Sequence, residues 1–361
     1  MNDYQGLQQK LSLHPAGAPA TETFDKILRI LFSEGDAAIA AELTFVLMPL
    51  ATIADRTGRP AQEVQAALED MADRALVYAR KDREGNPRYS LLPTIPGLFE
   101  FPFMRIKNIE LRDELGRLWH QYHDEALGNE FAGSPTPQMR VIPVRRSLSL
   151  TTEILPYDSV SQMIERARYI ALADCACRVS MRNCDKPIEV CLAFGGNAEF
   201  LVERGRARQI SAAEAMEVLD RSEEGGLVHT CNNSQDEFSV VCNCCSCCCT
   251  ILRGLTRLKN PHAFARSGFV VEYQADECIG CMACLEDRCP VEAITEAGEV
   301  VAVDNERCIG CGLCVSVCPA DALQMARREH APATPATGRE LLGSVLMEKG
   351  RFEEFMKLNQ S

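Results

Sequence analysis

The feature that most restricts this chain is a cysteine pattern written twice. Cys308-x-x-Cys311-x-x-Cys314-x-x-x-Cys318-Pro319 follows, thirty residues later, the run Cys278-x-x-Cys281-x-x-Cys284-x-x-x-x-Cys289-Pro290, which has one extra residue before its last cysteine. The flanks repeat too. Cys278-Ile279-Gly280 answers Cys308-Ile309-Gly310, and Val291-Glu292-Ala293-Ile294 answers Ala320-Asp321-Ala322-Leu323. Such a tandem repeat implies a unit with pseudo-two-fold character. Three cysteines at two-residue intervals in a tight loop turn three thiolates toward one metal centre, and a prolyl turn after the fourth aims that thiolate at the neighbouring one. Gly280, Gly310 and Gly312 leave backbone amides free to approach the centre.

These runs resemble the bacterial two-cluster ferredoxin signature, the second residue for residue. The resemblance implies two [4Fe–4S] clusters, one held by Cys278, Cys281, Cys284 and Cys318, the other by Cys308, Cys311, Cys314 and Cys289. A pair of zinc knuckles explains the duplicated order and the Cys-Pro endings less well. The extra residue between Cys284 and Cys289 bears only on local loop geometry.

The chain holds 19 cysteines in 361 residues, an odd number clustered in a way that fits a disulfide framework poorly. Met1 to Gly17 is polar, without the apolar core of a secretory signal, so the expected setting is a reducing cytoplasm. No apolar run is long enough to span a bilayer. Net charge is −13. From Phe269 to Met325 the acids, Glu272 to Asp321, face only Arg288 and Arg307. That imbalance argues against nucleic acid there and for a basic patch on a redox partner such as a flavoprotein or reductase.

Two further cysteine groups lack a template. One is Cys175 and Cys177, followed by Cys184 and Cys191; the other is Cys242, Cys244, Cys245, Cys247, Cys248 and Cys249, preceded by Cys231. Thiolates select zinc, cuprous copper or an iron–sulfur cluster. Beside two ferredoxin cubanes, one or two further iron–sulfur clusters are expected ahead of zinc or no metal. Neighbours in an extended chain point to opposite sides. The dense run therefore serves two sites, leaves thiols free, or holds an unusual cluster. Arg178 and Arg182 are candidates for compensating thiolate charge. His229 is a candidate ligand or proton donor, weighed against an ordinary structural histidine. The whole arrangement resembles multi-cluster 4Fe–4S binding proteins of anaerobic bacteria.

The expected class is α+β, in six segments. Residues 1–20 read as a frayed tail, and 21–95 as helices followed by a hairpin around Gly85-Asn86-Pro87, resembling a winged helix-turn-helix. Residues 96–155 read as one helix from Phe101 to Ala126 plus a linker from Gly128 to Pro143. A mainly helical cysteine-rich domain follows at 156–268. In it, a helix from Asp158 to Asp174 ends at the first cysteines, and a helix capped by Ser211 stops at Gly225-Gly226. The ferredoxin part takes 269–326, and 327–361 a linker and a terminal helix from Glu340 to Leu358.

The lead reading is an electron-transfer protein or subunit. No Gly-x-Gly-x-x-Gly after a strand and no P-loop is present, so electrons must come from or go to a partner. A redox-sensing regulator is the alternative. However, Glu63, Glu69, Asp70 and Asp73 oppose Arg74 alone on the candidate recognition helix, while phosphate contact needs a positive face. A winged helix can equally dock protein or form a homodimer. A third reading is an oxidoreductase with an open iron in the central region, which turnover with artificial donors would reveal.

Overall fold

The computed structural model describes residues 2–148, 159–236, 238–331 and 333–360. The chain begins with structure rather than a tail. Asn2 and Gln5 form a reciprocal capping box at the start of α1 (Asp3–Leu13), and Tyr4, Leu7 and Leu11 bury one face. Next come α2 (Glu22–Leu31), α3 (Glu34–Ala40), β1 (Met48–Pro49), α4 (Leu50–Thr57), α5 (Ala61–Asp73), β2 (Val77–Lys81) and β3 (Pro87–Leu91). The strands form an antiparallel sheet in the order β1-β3-β2. Gly58 closes α4 in the left-handed region, and Pro60 precedes the first turn of α5.

The expected single helix from Phe101 is two, α6 (Glu100–Phe103) and α7 (Ile109–Tyr122), because Met104 is extended and Arg105 has a positive φ. Phe24 of α2 stacks on Tyr122, which welds α7 to the N-terminal helices. The expected linker from Gly128 instead supplies α8 (Gly128–Phe131) and β4 (Met139–Ile142), an edge strand with every residue buried.

The central region is not mainly helical. Its scaffold is a six-stranded antiparallel sheet in the order β4-β8-β9-β6-β5-β7. Along the chain run α9 (Val160–Arg166), β5 (Ile170–Asp174), α10 (Ala176–Met181), β6 (Glu189–Phe194), α11 (Gly195–Glu203), β7 (Ala207–Ile210), α12 (Ala212–Glu224), β8 (Val228–Asn232) and β9 (Val240–Cys244). The expected helix to Asp174 thus stops at Arg166 and gives way to a strand; its start at Asp158 and the boundary at 155/156 lie outside the described residues. Ile170-Ala171-Leu172-Ala173 is a short apolar run that periodicity alone cannot assign to helix or strand.

Strand alternation sorts the sheet's side chains. Leu172, Val190, Leu192, Cys231 and Val241 face a core closed by Met163 and Ile164 of α9 and Val218 and Leu219 of α12. The other face carries Ala171, Ala173, Cys191, Ala193 and Cys244, packed toward the N-terminal helices. Small residues on that face leave room above the sheet.

After α13 (Thr250–Thr256), β10 (Phe269–Tyr273) pairs with β13 (Leu323–Arg327), and β11 (Ile294–Ala297) with β12 (Val300–Val303). The cysteine loops lie between these two ribbons. This part is tied to the central sheet: Val141 N–H donates to Ala265 O at 2.9 Å, and Val144 N–H to Cys311 O at 2.9 Å. The expected terminal helix is broken at Gly350, whose φ is positive, into α14 (Gly338–Glu348) and α15 (Phe352–Gln360). Both return to the start of the chain. Lys349 Nζ donates to Pro15 O at 2.8 Å, and Phe355 stacks on Phe45.

Candidate metal centres

None of the 19 cysteines is in a disulfide. In the ferredoxin-like part the thiols fall into two neighbourhoods. Burial pushes the Cys284 thiol up, and the nearby charges of Cys318, Cys281 and Cys278 add to the shift. Burial likewise raises Cys311 to about 12, with Cys308 and Cys289 adding, and it raises Cys314 well above the usual thiol range. One pocket is lined by Cys289, Cys308, Cys311 and Cys314 together, walled by Val271 and Ile294. The fourth cysteine of each run therefore sits beside the other run's triplet.

The two neighbourhoods differ in exposure. Cys281 is exposed and Ile279 beside it is 68% exposed, whereas Cys308, Cys311 and Cys314 are buried. The Tyr273 hydroxyl and the Gly280 N–H both act on Cys278 and lower its pKa. Gly280 and Gly310 have positive φ, and a Cβ there would strike the carbonyl oxygens of Glu299 and Phe269. Glycine is required for the loops to close so tightly.

The central thiols also separate, and the strand register is the cause. Cys191 on β6 lies one step beyond the Leu192–Val241 pair and so faces Cys242 on β9; Cys244 projects from the same face as Cys242. Cys249 Sγ lies 3.4 Å from Cys244 Sγ. Cys177 reaches Cys249 and Cys175, and Cys242 reaches Cys191 and Cys244. The result is a row of six thiols: Cys191, Cys242, Cys244, Cys249, Cys177, Cys175. Thr230 Oγ1 and Thr250 Oγ1 each stand 3.5 Å from a thiol of this row, Cys244 and Cys177 respectively. Hydrogen bonding among these thiols, burial and mutual repulsion hold Cys175, Cys242, Cys244 and Cys249 well above the usual thiol pKa.

The remaining thiols of the dense run turn away with Cys184. The sulfurs of Cys184, Cys245, Cys247 and Cys248 all lie within 4.8 Å of one another. Cys184 Sγ is 4.0 Å from Cys245 and 3.8 Å from Cys248, and Cys247 is 3.8 Å from Cys248. The dense run is thus divided between two groups of thiols. Cys231 faces the core on the other side of the sheet from the six-thiol row and lies outside the quartet, with Sγ 3.2 Å from Asn232 O.

Between the two groups lies Arg178, 2% exposed. Its Nη1 donates to Asn243 O at 3.0 Å and approaches Cys245 Sγ at 3.6 Å, while Nε donates to Pro187 O at 2.8 Å. Its Nη2 has no protein partner. Cys175, Cys245 and Cys244 are the thiolates that most favour its charge, against the cost of burial. A hydrogen bond from Cys248, followed by the Arg178 cation, pulls Cys245 down to about 4. Arg182 is different: 61% exposed, it points to Asp113. His229 is buried on the other side of β8, with Nδ1 2.5 Å from Asn243 Oδ1, which in turn is anchored to Val190 O through Nδ2. Cys175 caps the start of α10 rather than following a helix.

The donor sets fit thiophilic metals. Buried thiols that raise one another's pKa, beside a buried guanidinium, are poor as an apolar core and good as soft ligands. Sequence reasoning missed the two threonines and the role of the sheet, since nothing local marks a hydroxyl or a register as part of a site. Among the described residues no helix is long and apolar enough to cross a membrane. No curated protein and no solved structure matches the chain. Residues 271–325 match the family model of the 4Fe-4S dicluster domain, so the chain carries an iron–sulfur, ferredoxin-like domain in its C-terminal part.

Proposed function

We propose that this protein passes low-potential electrons between redox partners through [4Fe–4S] clusters. The observation that carries the reading is the dicluster match over residues 271–325, with each fourth cysteine placed beside the opposite triplet. Cys278, Cys281, Cys284 and Cys318 would hold one cluster, and Cys308, Cys311, Cys314 and Cys289 the other. A bound [4Fe–4S] cluster supplies one-electron transfer at a potential set by its thiolates, hydrogen bonds and exposure. Cys281 and Ile279 present the outer set to solvent among Asp276, Glu277 and Glu286, which suits a partner with a basic patch. The six-thiol row is proposed as a further iron–sulfur centre.

The four-residue interval between Cys284 and Cys289 supports transfer into the central region. Asp287 in that interval pairs with Lys186 at 2.5 Å, two residues from Cys184. Arg288 donates to the carbonyls of Glu223 and Glu224 at the end of α12. The inserted residue thus belongs to a docking loop between two thiol-bearing regions.

The N-terminal part is read as a winged-helix-like docking module rather than a DNA reader. Glu69 and Asp73 of α5 pair with Arg204 at 2.8 and 2.7 Å, and Tyr78 of the hairpin donates to Gly196 O at 3.1 Å. The acidic helix is therefore engaged with α11. A homodimer through this part, and a cytoplasmic setting that keeps the thiols reduced, complete the proposal. Stopped-flow mixing of the anaerobic protein with a reduced viologen, then with an oxidised flavoprotein, is expected to bleach and restore the iron–sulfur absorption. Absorption that does not change with a low-potential donor would contradict electron transfer.

A further inference from the structure

The two proposed ferredoxin clusters and the Cys184 quartet do not ask for the same metal. A zinc–sulfur bond of about 2.3 Å places the corners of a sulfur tetrahedron about 3.8 Å apart. Three of the six sulfur–sulfur separations in the quartet are 3.8, 3.8 and 4.0 Å, and all six lie within 4.8 Å. Around a cubane each thiolate bonds a different iron, and the sulfurs stand further apart. Among the described residues, which include every cysteine, only Cys184, Cys245, Cys247 and Cys248 bring three or more such ligand atoms within 4.8 Å of one another. Neither ferredoxin neighbourhood contracts that far, nor does the six-thiol row.

We propose that Cys184, Cys245, Cys247 and Cys248 hold a single thiophilic divalent ion, such as zinc, in a tetrahedral all-sulfur site without inorganic sulfide. This goes beyond the electron-transfer reading and replaces, for these four thiols, the expectation of a cluster.

Three features of the chain serve such an ion. Cys245, Cys247 and Cys248 come from one tight turn after β9, and Cys184 from the loop between α10 and β6, so the ion ties together two loops that leave the same end of the paired strands β6 and β9. Asn183 Nδ2 already donates to Cys247 O at 3.2 Å, which sets the register of the loops. Four thiolates around a divalent cation leave two net negative charges. Arg178, buried and 3.6 Å from Cys245 Sγ, offsets part of that charge, and its position between the quartet and the six-thiol row lets it act on both. With no open coordination position, the site is structural: it pins the Cys184 loop, whose Lys186 grips Asp287 of the ferredoxin-like part.

The test uses the full chain, purified anaerobically, with zinc, iron and acid-labile sulfide measured together. The expected result is about one zinc per chain. Zinc-edge X-ray absorption should show a sulfur-only first shell with no neighbouring metal. Cys184→Ser, and separately Cys247→Ser, should lose that ion while iron and sulfide stay at wild-type levels. Loss of a single iron without sulfide from these variants would also support a one-ion site. Loss of iron and sulfide in equal amounts would overturn the proposal in favour of a cluster, and so would unchanged metal content. The wild-type absorption spectrum decides the matter even if both variants fold poorly. A chain with zinc in the quartet but no iron anywhere would sustain this inference and defeat the electron-transfer reading, so the two fail separately.

Discussion

The ferredoxin-like part and the central sheet both assemble thiolates, by opposite means. In the first, spacing within a loop does the work: three cysteines two residues apart converge because the loop is tight, and glycines at 280 and 310 permit the tightness. In the second, the thiols of the six-membered row come from β6, β9, the start of α10 and the turn before α13, and strand register brings them together. The difference shows in the surroundings. The outer ferredoxin set lies near solvent amid carboxylates, whereas in the central groups half of the thiols are buried, none is exposed, and one guanidinium serves both. Loop-built sites repeat in sequence; register-built sites do not.

The largest effect expected from breaking this comparison is in the ferredoxin-like part. Cys318→Ala should disable the centre of Cys278, Cys281 and Cys284, and Cys289→Ala the centre of Cys308, Cys311 and Cys314, each removing about four irons. Paramagnetic resonance of the reduced variants distinguishes the two centres by exposure and relaxation. If each variant instead damaged the centre next to it in sequence, crossed ligation would be wrong.

In the central sheet the matching experiment uses register. Cys244→Ser, from the face shared with Cys191 and Cys242, should lower metal content while leaving the ferredoxin-like signals intact. Cys231→Ser, on the opposite face, should change no metal at all. Equal losses from the two variants would mean that strand alternation does not decide which thiols are ligands.

A pH effect of intermediate size comes from the contact that holds α7 against the cysteine-bearing α10. His120 Nε2 lies 3.1 Å from Ser180 Oγ. Burial, followed by the nearby Arg253 cation, lowers its pKa to about 4. The native state therefore keeps it neutral while the unfolded chain takes up a proton below its ordinary value near 6.5. Stability should be complete above that value and fall as pH drops toward 4, by at most about 3 kcal/mol from this group. His120→Gln should flatten that limb in chemical denaturation at a series of pH values. An unchanged acid limb would mean that the histidine is not held neutral.

How much of this was legible follows from the same contrast. The dicluster repeat could be read directly, as could α4, α5 and the hairpin, because Gly58, Pro60 and the Gly85 turn are local signals. Cysteine chemistry pointed to the central thiols, but their division did not show. Cys242 and Cys244 share a face only because β9 is a strand, and Cys184 meets Cys248 across 64 positions. The capping box at Asn2 and the stripe of Tyr4, Leu7 and Leu11 were present in the sequence and were outweighed by the Pro/Ala/Gly stretch that follows. The sheet itself was hidden by short apolar runs such as 170–173, which suit either period.

The smallest effect concerns the N-terminal part. Arg204→Ala removes two ion pairs with α5 whose carboxylates are largely solvent-exposed, so the cost should be under about 1 kcal/mol. Double-mutant cycles with Glu69→Gln would measure it. A much larger loss would mean that docking of α5 on α11 organises the central sheet as well.

The central claim is that the C-terminal part holds two magnetically distinct [4Fe–4S] clusters that accept electrons. Its most direct test is a potentiometric reduction of the anaerobic full chain followed by paramagnetic resonance. The expected result is two one-electron steps at low potential and a spectrum with spin coupling between neighbouring clusters once both are reduced. A reduced protein without an iron–sulfur signal, carrying zinc at Cys278–Cys318 in place of iron, would contradict it.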